Sequence, residues 1–398
     1  MQLPPYSPFS RYWQHDPEIV FLNHGSFGST PIEILKRQQE LRMQMESESV
    51  RFMVRELYEL YQISIGKLVQ FIGADPNDLV FVKNATMGVN TVIHSLDWEK
   101  GDEILIHSHA YGACANTIRY YANKYGVKIV CATLPFPVSH DDEIIDAFIK
   151  EITPKTKLAL VDHITSPTGI IFPVETLVEQ LQAKGVDVLV DGAHAPGQIP
   201  LHLKQLNAAY YVGNCHKWIC SPKGSAFLQV RKDKQEKIFP LQISHEFDAP
   251  VDSEKKWQGK FFWPGTDDYT AYCCVGDAID YMSEIGGGWK KIMESNREKA
   301  LKGRALLSEM LDVPNAAPEK MIANLATIPL GEAKAPEYGF NFISPLQNEL
   351  FHRYKIEVPI IFFSINKTHQ YVRIATQLYN SVEQIEYLGR SLKNLLRH

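Results

Sequence analysis

Residues 186–224 of the chain read VDVLVDGAHAPGQIPLHLKQLNAAYYVGNCHKWICSPKG. The mostly apolar run 186–190 ends in Asp191, and His194 follows three residues later. Lys217 comes 26 residues after Asp191, between a second strand-like segment and a Ser-Pro-Lys-Gly turn. This pattern predicts a carboxylate at the end of a buried strand and a lysine in a second loop.

A carboxylate and a lysine in this arrangement are what an enzyme that uses pyridoxal 5'-phosphate requires. The lysine amine of such an enzyme forms a Schiff base with the cofactor aldehyde. The aspartate keeps the pyridine nitrogen protonated, so that the ring can accept electrons from the substrate. We therefore predict pyridoxal 5'-phosphate as the cofactor, with Asp191 at its ring nitrogen and Lys217 at its aldehyde.

The composition argues against several other classes of protein. The chain has 398 residues, with 41 Lys+Arg against 46 Asp+Glu and a formal net charge of -5, so it has no basic surplus for nucleic acid. No apolar stretch reaches the length of a membrane span. The six cysteines include no CxxC pair and no second ligand pair at zinc spacing, which predicts free thiols and no metal. We expect a cytoplasmic enzyme that acts on a small molecule.

From residue 79 onward, short apolar segments alternate with helical patterns. The strand-like segments are residues 79–82, 103–106, 128–132, 158–161, 186–190, 208–212 and 226–230. This alternation predicts an α/β fold in which a mostly parallel sheet of the seven-stranded type has helices on both faces. Ligands of such sheets bind at the carboxyl ends of the strands, and Asp191 is predicted to lie there.

The sequence pattern changes after about residue 286. A long amphipathic helix is predicted over residues 289–311, and Ser381 with Gln384 forms a capping box for a final helix. Short strand-like segments lie between the two helices, which is typical of a smaller α+β domain. We therefore predict an N-terminal segment 1–29, a large cofactor-binding domain 30–285 and a small C-terminal domain 286–398.

Six short motifs together resemble one enzyme family. They are LNHGSFG (22–28), NATMG (84–88), HITSPTG (163–169), DGAHAPG (191–197), GNCHKW (213–218) and WPGTDDYTAY (263–272). In their order and spacing they resemble the aminotransferase class V branch of the fold-type I pyridoxal-phosphate enzymes, over nearly the whole chain. Within that branch the chain is most similar to the isopenicillin N epimerase-like group, which is related to the cysteine desulfurases. The His-Lys-aromatic motif of the family favours Lys217 over the neighbouring Lys223 as the catalytic lysine.

The resemblance implies a phosphate site and a homodimer. Ala85 and Thr86 begin a predicted helix, whose unpaired N–H groups and dipole favour a dianion. The family also places phosphate ligands at the positions of Asn214 and His216. A threonine that corresponds to Thr266 reaches in from the second subunit, so the active site is expected to be shared across the dimer interface.

The resemblance also implies which residues contact the ring of the cofactor. Asp191 is expected at the pyridine nitrogen and His194 at the ring oxygen. Tyr111 stands where relatives place an aromatic or histidine side chain that stacks on the ring, with His109 as the competing candidate. Ser166 occupies a position that is usually asparagine in the desulfurases, which leaves its contact to the ring oxygen open.

For the substrate, the resemblance points to Arg373, whose planar guanidinium suits bidentate binding of an α-carboxylate. Asn23 and His24, in the N-terminal glycine-rich loop, are expected to line the substrate entrance. The amino-acid substrate itself is not identified by the sequence.

The sequence leaves the reaction at Cα open. Epimerisation is the main prediction, and it requires an acid or base on each side of the cofactor: Lys217 on one side, and Tyr111, His24 or a positioned water on the other. Elimination of a C–S bond and transamination require only Lys217. No cysteine follows Cys274, which disfavours persulfide transfer by a small-domain cysteine. A non-catalytic dimer that binds pyridoxal phosphate is the remaining alternative.

Overall fold

A seven-stranded sheet, a three-stranded sheet and a two-stranded pair make up the β-structure of the described residues. The computed structural model describes residues 3–248, 256–333, 335, 343–362 and 368–396. The strands in these ranges are β1 (Val20–Phe21), β2 (Leu79–Val82), β3 (Glu103–His107), β4 (Lys128–Ala132), β5 (Thr156–Asp162), β6 (Asp187–Gly192), β7 (Tyr210–Asn214), β8 (Ala226–Val230), β9 (Leu325–Glu332), β10 (Ile356–Glu357), β11 (Ile360–Ile361) and β12 (His369–Ala375).

The larger sheet has seven strands in the order β2-β8-β7-β6-β5-β3-β4. Strands β3 to β7 are parallel to one another, and β8 runs antiparallel to both β7 and β2. Strands β7 and β8 are buried at every residue, because helices cover both faces of the sheet. The predicted α/β class with a mostly parallel seven-stranded sheet is confirmed.

Helices lie between most of the strands, and one of them has the bounds 289–311 predicted from the sequence. Those in the described ranges are α1 (His24–Phe27), α2 (Ile32–Ser47), α3 (Ser49–Arg51), α4 (Leu57–Ile72), α5 (Ala85–Ser95), α6 (Gly112–Tyr125), α7 (Asp141–Ile149), α8 (Val174–Ala183), α9 (Leu203–Leu206), α10 (Lys256–Phe262), α11 (Thr270–Gly286), α12 (Trp289–Leu311), α13 (Pro345–Tyr354) and α14 (Val382–Leu396). The predicted capping box is confirmed: Gln384 N donates to Ser381 Oγ at 3.3 Å, and Ser381 N donates to Gln384 Oε1 at 3.4 Å. None of the helices in these ranges has both the length and the apolar character that crossing a membrane requires.

The smaller sheet lies in the C-terminal part and has the antiparallel order β11-β12-β9. The N-terminal segment is attached to this part of the chain, since β1 pairs in parallel with β10. Ser7 N also donates to Tyr379 O at 2.9 Å. The domain boundaries at residues 29 and 285 stay a prediction, but residues 3–29 contact the C-terminal part extensively.

The carboxyl ends of the parallel strands meet at one edge of the large sheet. Asp162, the last residue of β5, lies in register with Asp191 on β6, and Gly192 lies in register with Gly213 on β7. Strand β2 points to the same edge, because two antiparallel steps through β8 restore the direction of β7. The loops that carry the predicted motifs are therefore brought to one place.

Candidate active site

A cavity of about 570 Å³ opens at this edge of the sheet. Nine residues predicted from the sequence line it: Ala85, Thr86, Tyr111, Ser166, Asp191, His194, Asn214, His216 and Lys217. The other predicted residues, Asn23, His24, Thr266 and Arg373, are not among its described lining residues. Lys223, the alternative lysine, does not line the cavity either, and this geometry favours Lys217.

Lys217 lies just beyond the end of β7, and its amine faces His194. Nζ of Lys217 is 3.0 Å from His194 Nε2, and Trp218 Nε1 donates to His194 Nδ1 at 3.4 Å. With Nδ1 accepting from Trp218, the proton of a neutral His194 ring lies on Nε2 and points at the lysine amine, which suits an uncharged amine. Burial lowers the pKa of Lys217 to about 8, although the Asp191 carboxylate opposes the shift. A lysine with this pKa is a nucleophile near neutral pH.

The backbone around Lys217 is held by close contacts. Gly28 has φ +71°, and a Cβ at this position would lie 1.9 Å from His216 O. On the other side, a Cβ on Gly197 would lie 2.6 Å from the carbonyl carbon of Trp218. Both positions require glycine, since any side chain would displace the lysine loop.

His24 supports the same loop from the N-terminal segment. Its ring is fully buried, with Nε2 3.0 Å from Lys217 O and Nδ1 2.8 Å from Tyr379 Oη. Because a carbonyl oxygen can only accept, Nε2 carries the proton and Nδ1 accepts from the tyrosine hydroxyl. Burial lowers the pKa of His24 to about 3, so the ring stays neutral. The structure therefore places His24 behind the lysine loop rather than at the substrate entrance.

Asp191 is a buried carboxylate that receives two hydrogen bonds. Ala193 N donates to Oδ1 at 3.0 Å, and Cys114 Sγ donates to Oδ2 at 3.3 Å. Burial, followed by the nearby Asp162 carboxyl, raises the pKa of Asp191 to about 6. No ion pair to Asp191 occurs among the described residues. A buried carboxylate without a partner cation fits a site that receives a protonated ring nitrogen.

The N-terminus of α5 forms one end of the cavity. Asn84 caps the helix by accepting from Met87 N at 2.8 Å, and Asn214 Oδ1 accepts from Ala85 N at 2.9 Å. The N–H and hydroxyl of Thr86 and the amide NH₂ of Asn214 have no hydrogen-bond acceptor among the residues described, so they can donate to a ligand. Donors at the start of a helix favour a phosphate, so these residues fit the predicted phosphate site.

His216 lies beside the same end of the cavity. Its Nδ1 donates to Ser225 O at 2.8 Å, and the remaining ring nitrogen, Nε2, has no hydrogen bond to another described residue and can contact a ligand. Burial lowers the pKa of His216 to about 4, which keeps the ring neutral in the protein alone. A phosphate dianion would raise this pKa again and would allow Nε2 to donate.

Arg373, on β12, is a buried cation without a counter-ion among the described residues. Nη1 donates to Ser166 O, Nη2 donates to Ser26 Oγ at 3.4 Å, and Nε has no hydrogen-bond partner in the part of the chain that the structure describes. Burial lowers the pKa of Arg373 to about 10, so the group stays charged at neutral pH. Its side chain is 4% exposed and borders a second cavity, which shares Tyr111 and Ser166 with the first. A buried, incompletely bonded guanidinium of this kind fits a carboxylate ligand.

Three other predicted residues have different surroundings. Tyr111 is 44% exposed. Partial burial raises the pKa of its hydroxyl, which therefore keeps its proton at neutral pH. Asn23 accepts from Ser26 Oγ at 2.6 Å and donates to Glu357, so it supports Ser26 rather than facing the cavity. Thr266 is exposed; the adjacent Asp267 forms an ion pair with Lys83.

Three side chains at the site, those of Asp162, His107 and Cys114, were not predicted from the sequence. Asp162 lines the cavity and is bonded to His107, while Cys114 donates to Asp191. Asp162 carries the same signal as Asp191, an acidic residue at the end of an apolar run, and could have been found by the same rule. No local pattern marks Cys114 or His107, because their contacts form only when the strands align.

Comparison with known proteins agrees with this geometry. The family described as aminotransferase class V matches residues 21–388. The probable chloroplastic L-cysteine desulfhydrase of Arabidopsis thaliana is 29% identical over 98% of this chain and 85% of its own length. Isopenicillin N epimerase of Streptomyces clavuligerus is also 29% identical, over 96% of each chain. A cysteine desulfurase from Thermococcus onnurineus has the same fold, with a TM-score of 0.78, 20% identity and coverage of 100% of this chain and 99% of its own.

The chain belongs to the aminotransferase class V family, because the match covers nearly all of it. Its cofactor is accordingly pyridoxal 5'-phosphate, as predicted from Asp191 and Lys217. The buried Asp191 carboxylate, the enclosed lysine and the hydrogen-bond donors at the start of α5 fit that group. The protein is an enzyme, and the activities found in this family are those of isomerases, lyases and transferases. Its relatives include both lyases and an epimerase.

Proposed function

We propose that this enzyme removes the α-proton of an L-amino acid and then expels a sulfur group from Cβ, as a C–S lyase. The observation that carries the proposal is the combination of Lys217, whose amine has a low pKa, with Arg373, a buried cation that has no counter-ion among the described residues. An amino acid offers a carboxylate to the arginine and a Cα–H bond to the lysine. The L-cysteine desulfhydrases among the relatives act on a substrate of this kind.

Pyridoxal phosphate, when bound, delocalises the electron pair that is left at Cα after a bond to Cα breaks. In the proposed roles, Asp191 keeps the ring nitrogen protonated, Asn214, Thr86 and His216 hold the phosphate, and Arg373 fixes the substrate carboxylate. Fixing that carboxylate orients the Cα–H bond toward Lys217, and positioning of this kind lowers barriers by several kcal/mol.

Lys217 is the base in this scheme. Its amine takes the α-proton, and the resulting ammonium passes a proton to the departing sulfur. With L-cysteine as substrate, water enters after the C–S bond breaks. The balanced products are pyruvate, ammonia and hydrogen sulfide. The elimination therefore needs one acid–base group, which the cavity provides.

Epimerisation is the second candidate and needs a further acid on the opposite side of Cα. His24 and Tyr111, the two side chains predicted for this role, differ in their position relative to the cavity. His24 is turned away and held by Lys217 O and Tyr379, whereas Tyr111 lines the cavity with its hydroxyl protonated. Tyr111 is thus the residue that would return a proton in an epimerase, and the similarity to isopenicillin N epimerase favours keeping this candidate.

Incubation of the holoenzyme in D2O with L-cysteine and, separately, with L-alanine distinguishes the two. A C–S lyase forms pyruvate, ammonia and sulfide in equal amounts from cysteine, and exchanges the α-hydrogen of alanine without loss of optical purity. Alanine serves as the control, since it has no leaving group at Cβ. If alanine were racemised and cysteine released no sulfide, the enzyme would be the epimerase instead. Release of CO2 without α-hydrogen exchange would refute both, because it breaks the bond to the carboxylate that Arg373 is proposed to anchor.

We further propose that the active unit is a cytoplasmic homodimer in which Thr266 contributes to the phosphate site of the second subunit. The exposure of Thr266 supports this assignment, since a residue that serves a neighbour must be accessible in the single chain.

A further inference from the structure

Two neighbouring strands each end in a buried aspartate. Asp162 on β5 and Asp191 on β6 lie in register, and their exposed fractions are 2% and 4%. Adjacent strands are separated by about 4.8 Å, so the two carboxyl groups are close together in a medium that screens charge poorly. Two such groups cannot both be ionised without a strong repulsion.

The surroundings of the two aspartates differ in the kind of hydrogen bond that they offer. Asp191 accepts from Ala193 N and from Cys114 Sγ, which stabilises its ionised form. Asp162 also accepts from the Ser166 backbone N–H, but its Oδ1 is 3.0 Å from Nε2 of His107, a ring nitrogen that can accept a hydrogen bond. Pairs of carboxyl groups in environments that separate their pKa values in this way take different protonation states.

The ring of His107 lies in an apolar environment. Its centroid is 5.1 Å from that of Phe172 and 5.6 Å from that of Phe148, and Nδ1 has no hydrogen-bond partner among the described residues. Burial lowers the pKa of His107 to about 3, so the ring is neutral. Burial also raises the pKa of Asp162 well above its ordinary value, although the Ser166 backbone N–H and Lys217 act in the opposite direction.

We propose that Asp162 is a second carboxyl group of the ring-nitrogen site, held as the neutral acid by a hydrogen bond that its O–H donates to Nε2 of His107, so that Asp191 is the single anion there. Asp162 and His107 are thus positioning residues. Their hydrogen bond keeps Asp162 neutral, so that Asp191 alone carries the negative charge at this site. The inference deepens the proposed role of Asp191. It makes Asp162 a neutral donor in the wall of the cavity rather than a second counter-ion.

The titratable groups that face Asp162 come from four elements. They are His107 at the end of β3, Cys114 on α6, Asp191 on β6 and Lys217 after β7. Of these, Lys217 is the only cation. Once its amine is bound to the cofactor, one carboxylate suffices to balance a protonated ring nitrogen, and a second ionised carboxylate would be in excess.

Infrared difference spectroscopy of the holoenzyme at pH 8 tests the protonation state directly. The wild-type protein is expected to show a carboxylic-acid C=O band that shifts in D2O and is missing in Asp162→Asn. Asp187→Asn is the matched control, since Asp187 lies at the opposite end of β6 and is paired with Lys234 at 2.7 Å. It should leave the band unchanged. Absence of a band assignable to Asp162 would overturn the proposal. The measurement does not depend on the reaction catalysed, so its failure is distinct from a failure of the proposed function.

The link to His107 is tested by nitrogen chemical shifts of the wild-type protein with ¹⁵N-labelled histidine, assigned with His107→Phe. The proposal predicts a neutral ring with its proton on Nδ1 and an accepting Nε2. A proton on Nε2 would mean that Asp162 is ionised, and would overturn the proposal.

A third readout uses the pH titration of the absorbance of the bond between Lys217 and the cofactor. If Asp162 is neutral, Asp162→Asn should move the midpoint by less than about 0.3 pH unit. A fall of about one unit or more would reveal a lost negative charge and contradict the proposal.

Discussion

The cofactor end and the substrate end of the cavity are built in different ways. At the cofactor end, Asp191 and His194 both have their hydrogen bonds made within the protein, and glycines clamp the loop of Lys217. At the substrate end, Arg373 has a free Nε and no counter-ion among the described residues, and Tyr111 is 44% exposed.

The difference teaches where the two kinds of specificity reside. A site that is rigid and bonded beforehand suits a group that stays in the protein, since no reorganisation is needed during the reaction. Arg373 borders a second cavity and Tyr111 is 44% exposed, so the substrate end is accessible to a molecule that arrives and leaves. We therefore expect substitutions at the cofactor end to reduce turnover, and substitutions at the substrate end to change substrate binding.

The largest effect is expected for Lys217→Ala, which removes both the attachment point and the base. Activity should fall by about 10⁴-fold or more, because proton transfer by a positioned group is lost with it. Borohydride reduction and peptide mapping should label Lys217 in the wild-type protein and no lysine in the variant. Lys223→Ala is the matched control and should remain active and labelled. Label on Lys223 or Lys83 in the wild-type protein would contradict the assignment.

The next effect is expected at Asp191. Asp191→Asn keeps the shape of the side chain but removes its charge, so kcat should fall by about 10²–10³-fold while the fold is retained. Circular dichroism and kcat are the measurements. Near-normal turnover would mean that the carboxylate has only a structural role.

At the substrate end, Arg373→Lys should mainly raise KM. A lysine keeps the charge but cannot form a planar, bidentate pair with a carboxylate, so KM should rise by about 10- to 100-fold with a smaller change in kcat. Steady-state kinetics with the best amino acid separate the two parameters. If kcat fell and KM stayed constant, Arg373 would belong with the cofactor end, and the proposed division of the cavity would fail.

The pH dependence of cofactor uptake follows from the Lys217 amine. Because burial lowers its pKa to about 8, the nucleophilic form predominates above that pH, and the uptake rate of the cofactor-free protein should rise about tenfold per unit up to pH 8 and then level off. Absorbance during reconstitution measures this rate. In Asp191→Asn the midpoint should move lower, since the Asp191 charge raises the lysine pKa. A midpoint near that of an ordinary lysine would show that the amine is exposed.

The smallest effect is expected for Thr266→Ala. Loss of one hydrogen bond to the phosphate should weaken cofactor binding by about threefold to tenfold in a dimer. Equilibrium dialysis gives the affinity, and sedimentation gives the oligomeric state. An active monomer at micromolar concentration would rule out a shared site.

Much of the cofactor end could be predicted because its residues stand at the ends of apolar strands. Asp191 and Asn214 follow buried runs, and parallel strands bring such positions to one edge. The neighbouring Asp162 fits the same rule, yet its bond to His107 depends on the alignment of β3 with β5, which no local pattern reports.

The positions of residues at the substrate end were harder to predict from the sequence. His24 was expected at the entrance, since it stands in a glycine-rich loop, but it is directed into the interior by Tyr379, which is more than 350 residues away. Contacts between positions so distant in the chain depend on the packing of the two sheets, and periodicity carries no information about that.

The pairing of β1 with β10 has a consequence for the order of folding during synthesis. The partners of the N-terminal segment, Ile356 and Tyr379 among them, leave the ribosome last. The strands of the large sheet can assemble earlier, as their sequence from β2 to β8 is already complete. His24 and Gly28 can therefore make their contacts with the lysine loop only at the end of translation. A chain truncated before β10 would retain a sheet with its carboxylates in place, and would hold its lysine loosely.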